Sequence, residues 1–332
     1  MYHSKNNKKQ FNKKVPRTEG ELKYTTKFLL KQIVLYALPF IIIDLLKSSY
    51  NLVDTLTVVR TLNNLGYSSE VANLTYSIIS TWGNKLSMII ISISIGISTS
   101  LIPSLASDFV TKNEENINKK VNQAIQVLLF ITIPMTFGIW FLARPIWIIF
   151  YSYDYLSIEI FKVFIFQALT YSLFSILLNI TQTTNYTKTT ILTLFISFIA
   201  NAILNIPMMY LCHNLWHIGY QGASLSTLIT QILPSIYLLY FIHKHLKVSY
   251  KKTVINCIKI IICTFIVIVF LKLLTYIYPI NVINKIPAII QTGIYSTIGI
   301  LIYFITIYKS GVLKDIFKGN LIKKLKIKKS SV

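Results

Sequence analysis

The sequence predicts an all-α polytopic membrane protein with eight transmembrane helices, and three observations predict it. The 332 residues are 54% hydrophobic and only 13% charged, where a soluble domain carries about 25% charged residues. Apolar runs long enough to cross a hydrocarbon core of about 30 Å as a helix recur along almost the whole chain. The basic residues concentrate at the two ends and in alternate loops, as the positive-inside rule requires of a chain that crosses repeatedly.

Taken in order, residues 1–32 hold nine Lys and Arg and read as a basic cytoplasmic arm. Eight spans follow at 33–59, 83–106, 122–143, 156–178, 188–211, 220–242, 254–277 and 286–308. Residues 309–332 form a basic tail, with eight lysines between 309 and 329. An even number of spans puts both basic ends on one side. With the ends inside, the inner loops carry Lys112, Lys119, Lys120, Lys188, Lys244, Lys247, Lys251 and Lys252, and the outer loops only Arg60, Arg144 and Lys285. The expected location is therefore the cell membrane, multi-pass, with both termini cytoplasmic and facing anionic membrane lipids. Pro39, Pro103, Pro134, Pro207 and Pro234 fall within or at the ends of spans, where neighbouring helices or cavities satisfy the freed backbone groups.

Several function classes are excluded. The formal net charge of +22 sits in flanking segments, whereas a nucleic-acid binder places basic charge on a folded face with interleaved aromatics. Cys212, Cys257 and Cys263 lie in or beside apolar runs with no CxxC pair and read as small buried hydrophobes. No signal peptide is expected, because the N-terminus is polar for nearly thirty residues. His213 and His217 stand at i, i+4 without an acidic third ligand, so no metal site is expected. There is no P-loop, no GxGxxG, and no Ser or Cys beside a plausible His base. The chain reads as no enzyme, without catalytic residues or a resident cofactor.

The informative stretch is FIIIDLLKSSYNLVDTLTVVR in the first span. Asp44, Lys47, Asn51 and Asp54 are spaced 3, 4 and 3 apart and share one helical face. A charge at mid-membrane costs about 2.5–3.5 kcal/mol, so such a face must meet protein or water. One reading is a structural Asp44–Lys47 pair at i, i+3; the other is a polar cavity or ion path. Asp44 and Asp54 are the only carboxylates well inside any span, which favours the cavity. Lys85, beside Asn84 in the second span, either snorkels to the interface or faces that cavity. Lys259 and Lys272 lie about five residues from the ends of their span and read as snorkelling, while Lys162 has Glu159 at i−3. Asn201 and Asn205 stand one turn apart on the fifth span, able to bond a neighbouring helix or offer oxygens to a cation. The sixth span opens with GYQGASLSTLIT, whose small residues permit close packing and whose Thr227 adds an oxygen.

The succession YALPFIIIDLLKSSYNLVDTLTVVRTL, SLIPSLASDF, FITIPMTFGIWFLARPIWIIFY, FISFIANAILNIPMMYL and GYQGASLSTLIT resembles a known family. It is similar to the lipid II flippase and polysaccharide-exporter branch of the multidrug/oligosaccharidyl-lipid/polysaccharide exporter superfamily, from about residue 20 onward. Members have fourteen spans, as two six-helix lobes and two extra helices. The eight spans here resemble the last eight, so the resemblance implies a transporter lobe over 33–242, two additional helices over 243–308, and an arm that resembles the linker between lobes. It also implies that the first lobe, with several basic residues of the shared cavity, is missing here, so that a separately encoded first lobe or a second copy of this chain would enclose the cavity.

Carried over by position, the family's cation site falls on Asp54, Asn201, Asn205 and Thr227, with Na+ or H+ as coupling ion. Asn205 stands where some members have a carboxylate. Asp44, Lys47, Asn51 and Lys85 would face the substrate, a prenyl-pyrophosphate-linked sugar, with lysine as a point-charge phosphate partner. The expected function is flipping of a lipid II-like or lipid-linked oligosaccharide precursor by alternating access, for peptidoglycan or polysaccharide biosynthesis. The alternatives are a drug/cation antiporter of the same fold and a non-transporting membrane partner or truncated relic.

Overall fold

The computed structural model of the chain describes residues 26–317. Most of the basic arm and of the basic tail therefore lies outside the described residues. Residues 26–32, placed in the arm by sequence, form the first two turns of helix α1, Thr26–Asn64. The described residues are helical and contain no strand.

The chain divides into two compact units, with the boundary between Leu45 and Leu46. In the first, the described residues are the N-terminal half of α1, which carries Pro39 and Asp44. The second begins with the C-terminal half of α1 and holds everything that follows. There α1 ends in a turn closed by Tyr67 N to Leu62 O at 3.1 Å and Gly66 N to Asn63 O at 3.1 Å. Gly66 takes φ +86°, the left-handed conformation that this helix stop requires and that glycine adopts without strain.

Helix α2, Ser69–Ser77, is capped by Ser68 and runs through one π turn, Ile78–Trp82, into α3, Gly83–Val110. Helix α4, Glu114–Phe141, starts at Asn113, whose side chain accepts from Asn116 N, with two glutamates in its first turn. Short α5, Ala143–Phe150, and α6, Tyr155–Phe164, lead to α7, Phe166–Thr183. Helices α8, Thr187–Trp216, and α9, Gly222–Leu246, are joined by a single 3-10 turn at Gly219–Gln221. Helices α10, Lys251–Ile277, and α11, Lys285–Lys309, precede a short α12, Val312–Ile316.

Seven stretches of the second unit are long and apolar enough to cross a membrane, among the described residues. They carry the second to eighth expected spans, and α1 carries the first. Between 28 and 56% of each stretch is buried. Ile203, Phe265 and Ile286 are among the exposed side chains of these stretches, as lipid-facing helices require.

Two large apolar cores lie within the second unit, among the described residues. One packs Val58, Leu62, Ile78, Trp147 and Phe161 where α1, α2, α5 and α6 meet. The other packs Phe130, Ile133, Ile260, Tyr295 and Ile316 between α4, α10, α11 and α12. The small residues opening the sixth span do bring helices together: a Cβ on Gly222 would lie 2.3 Å from Met209 Cα, so α8 and α9 touch backbone to backbone. Lys162 pairs with Glu159 at 2.6 Å, the i−3 partner that the sequence offers. Lys259 does more than reach toward an interface. Its Nζ donates at 3.1 Å to the carbonyl of Ser310, satisfying an acceptor at the C-terminal end of α11.

Candidate cation and substrate site

Within the second unit, the polar face of α1 lines a cavity of about 280 Å³. Lys47, Tyr50, Asn51 and Asp54 contribute from α1, Asn84 and Ser87 from α3, Gln167 and Tyr171 from α7, and Thr227 and Gln231 from α9. The 3–4 spacing of α1 explains the arrangement: Lys47, Asn51 and Asp54 share one inward face, which Val58 and Leu62 continue into the apolar core, while Leu52 and Leu56 on the opposite face are exposed. The residues around the cavity are cross-braced. Thr170 Oγ1 donates to Gln231 Oε1 at 2.6 Å, and Gln167 Nε2 to the carbonyl of Ser224 at 3.2 Å.

Asp54 is only 6% exposed. Asn205 Nδ2 donates to its Oδ1 at 2.7 Å, and no ion pair reaches it among the described residues. Desolvating a carboxylate costs several kcal/mol, and one neutral hydrogen bond does not offset that. Asn201, one turn before Asn205, donates to Thr227 Oγ1 at 3.2 Å and Thr230 Oγ1 at 3.3 Å. Both asparagines are fully buried, and both keep their Oδ1 without a partner. The amides thus spend their donors on Asp54 and the α9 hydroxyls and leave their acceptors unspent. One carboxylate, two unpartnered amide oxygens and the Thr227 hydroxyl make an all-oxygen set with a single formal charge, which fits a hard monovalent cation.

A second hydroxyl chain ties α1 to the same helices. Tyr50 Oη is hydrogen-bonded to Ser197 Oγ, and Ser197 Oγ donates to the carbonyl of Thr230. Sequence reasoning missed Tyr50, Ser197 and Gln231. The signal was present as fourfold spacing, Ser197–Asn201–Asn205 on α8 and Thr227–Gln231–Ser235 on α9. Of the expected residues, the structure joins Asp54, Asn201, Asn205 and Thr227 in one cluster and sets Lys47 and Asn51 on the cavity wall. Lys85 is exposed on α3 and does not line the cavity, whereas its neighbour Asn84 does. Asp44 belongs to the N-terminal unit.

His213 and His217 serve the turn between α8 and α9. Tyr67 Oη lies 3.1 Å from His213 Nδ1, donates to His217 O at 3.0 Å and accepts from Gly219 N at 3.0 Å. Among the described residues no cluster of three metal-ligating side chains occurs.

The family model for the lipid II flippase MurJ matches residues 26–290. The chain belongs to the MurJ family. A lipid II flippase MurJ of Bacillus subtilis (strain 168) is 25% identical over 309 residues, covering 91% of this chain and 56% of that protein. A solved lipid II flippase MurJ in an inward closed conformation superposes with a TM-score of 0.64 at 20% identity, covering 89% of this chain and 57% of that one. The chain thus spans somewhat more than half the length of the MurJ proteins it matches. The structural likeness establishes the fold, an all-α assembly of membrane-spanning helices. The MurJ family consists of flippases, which move a lipid between leaflets without making or breaking a covalent bond. A site built for binding rather than for bond chemistry suits that family.

Proposed function

We propose that this chain supplies one lobe of a flippase that carries a pyrophosphate-linked saccharide lipid of the lipid II class across the cytoplasmic membrane, for peptidoglycan synthesis. The observation that carries the reading is that Lys47 and Asp54 line one cavity from the same helix, two turns apart. Lys47 offers an ammonium to the pyrophosphate, and Asn51, Gln167 and Gln231 offer hydrogen bonds to sugar hydroxyls. Asp54, Asn201, Asn205 and Thr227 would hold Na+. The bound ion neutralises the carboxylate and draws α1 toward α8 and α9, so cation and substrate both act on α1.

The cavity of about 280 Å³ is small for a disaccharide–pyrophosphate headgroup. In this reading a further helical lobe completes the enclosure, and the lobes rock about the substrate. The basic residues at both ends and in alternate loops support an orientation with both termini in the cytoplasm.

The test supplies flippase-depleted cells with the chain alone, with the chain beside a first lobe, and with Lys47→Gln forms of each. The expected result is growth, and lipid II exposed on the outer leaflet, where two lobes are present, with both lost on Lys47→Gln. Failure of every arm while the protein accumulates folded in the membrane overturns the proposal.

A further inference from the structure

A second cavity, of about 670 Å³, lies between the starts of α4 and α10 and the short α12. One wall is an amide ladder, Asn118, Asn122 and Gln126, one helical turn apart on α4. Gln126 Nε2 donates to Thr253 Oγ1 at 2.7 Å, Thr253 Oγ1 donates to Asn122 Oδ1, and Asn122 Nδ2 donates to Asn118 Oδ1 at 2.9 Å. Behind the ladder, Asn256 is 1% exposed, donates to Gln126 Oε1 at 3.1 Å, and keeps its own Oδ1 unpartnered. Polar groups near the ends of membrane-spanning helices are held by one another and by the water or polar ligand that reaches the cavity.

The rim is basic where the physics of an empty site would make it acidic. Lys119, Lys251 and Lys252 face the cavity, against Glu115 and Asp315. Lys252 lies 3.8 Å from Asp315, while Lys119 and Lys251 make no ion pair among the described residues. Helix α10 opens on Lys251 and Lys252, with no acidic residue in its first turn and no side-chain cap at Tyr250. Cations at the positive end of a helix dipole are unfavourable, and the unspent N–H groups of that turn attract an anion. Exposed Ile255, on the rim, and Ile258, one turn further along α10, continue the cavity into apolar surface of the kind acyl chains cover.

We propose that this cavity binds the phosphodiester headgroup of a membrane phospholipid, with Lys119, Lys251 and the first turn of α10 on the phosphate. The headgroup's hydroxyl or amine donors meet the amide ladder. The site shares no residue with the Asp54 cavity and does not depend on what that cavity transports.

The test uses the full chain purified in a non-ionic detergent and titrated with short-chain phosphatidylglycerol, short-chain phosphatidylcholine and glycerol 3-phosphate, with bound ligand counted by native mass spectrometry. Saturable binding of phosphatidylglycerol, weakened about thirtyfold in Lys119→Gln/Lys251→Gln, is expected. Lys251→Arg, which keeps the charge, retains it. Tight glycerol 3-phosphate binding with the same lysine dependence would support the phosphate chemistry and name a soluble ligand as its source. Equal binding of all three ligands, or phosphatidylglycerol binding unchanged in the double variant, would overturn the proposal. Should the double variant not fold, loss of wild-type binding at high salt is the expected reading, and salt-insensitive binding overturns it.

Discussion

Replacing Asp54 by asparagine separates its charge from its shape. The amide is isosteric and still accepts the 2.7 Å hydrogen bond from Asn205 Nδ2. It also removes a buried charge that no cationic side chain compensates among the described residues. Cation-free stability is therefore expected to hold or rise. Alanine is different, because it strands the buried Asn205 donor at a cost of about 1–3 kcal/mol. The cation supplies the contrast. A ligand that binds only the folded state at one hundred times its dissociation constant adds about 2.7 kcal/mol, which raises Tm by roughly 5 °C. The assay is thermal unfolding in detergent, followed by tryptophan fluorescence, with NaCl exchanged for choline chloride at constant ionic strength. The wild type gains the increment with Na+, Asp54→Asn loses it without losing cation-free stability, and Asp54→Ala loses both. An undiminished Na+ increment in Asp54→Asn would refute the placement of the cation at this carboxylate.

Other substitutions test neighbouring parts of the same argument. Gly222→Ala would set a Cβ 2.3 Å from Met209 Cα, so α8 and α9 must separate; thermal unfolding should show a loss of about 1–3 kcal/mol, and an unchanged Tm would mean that the contact relaxes freely. Ser197→Ala removes the hydroxyl that bonds Tyr50 and should cost about 0.5–1.5 kcal/mol in the same assay. Lys47→Gln should weaken binding of a pyrophosphate-bearing lipid while leaving the Na+ increment in Tm intact, since Lys47 lines the cavity but is not among the oxygen ligands. Thr227→Val removes one oxygen and should raise the cation's apparent dissociation constant about tenfold or less, read from the Na+ dependence of Tm.

How much of this was legible depended on whether the physics was local. The spans were legible because membrane crossing is set by length and hydropathy, which each segment carries alone. The α2 extension over Ser69–Ser77 was not, because its polar start, Ser68 followed by Glu70, is a helix cap rather than a hydrophobic signal. The division of the fourth expected span into α6 and α7 at Ile165 was equally hidden, since FKVFIFQAL reads as one apolar run.

The site was legible in part for the same reason. Spacing puts Lys47, Asn51 and Asp54 on one face of α1, and the structure lines a cavity with them. Which helices oppose that face is a matter of tertiary packing, so no periodicity in α1 could announce Ser197 or Asn205 as its partners. The carbonyl oxygens of Asn201 and Asn205 were legible only as chemistry, two amides one turn apart. Their meaning comes from where their donors go. Once Asp54 and the hydroxyls of α9 take the amide protons, both amide oxygens are left without a partner, in a cluster whose carboxylate has no ion pair among the described residues. A buried cluster of that kind is under-compensated by protein alone, and that deficit is what the proposed cation would supply.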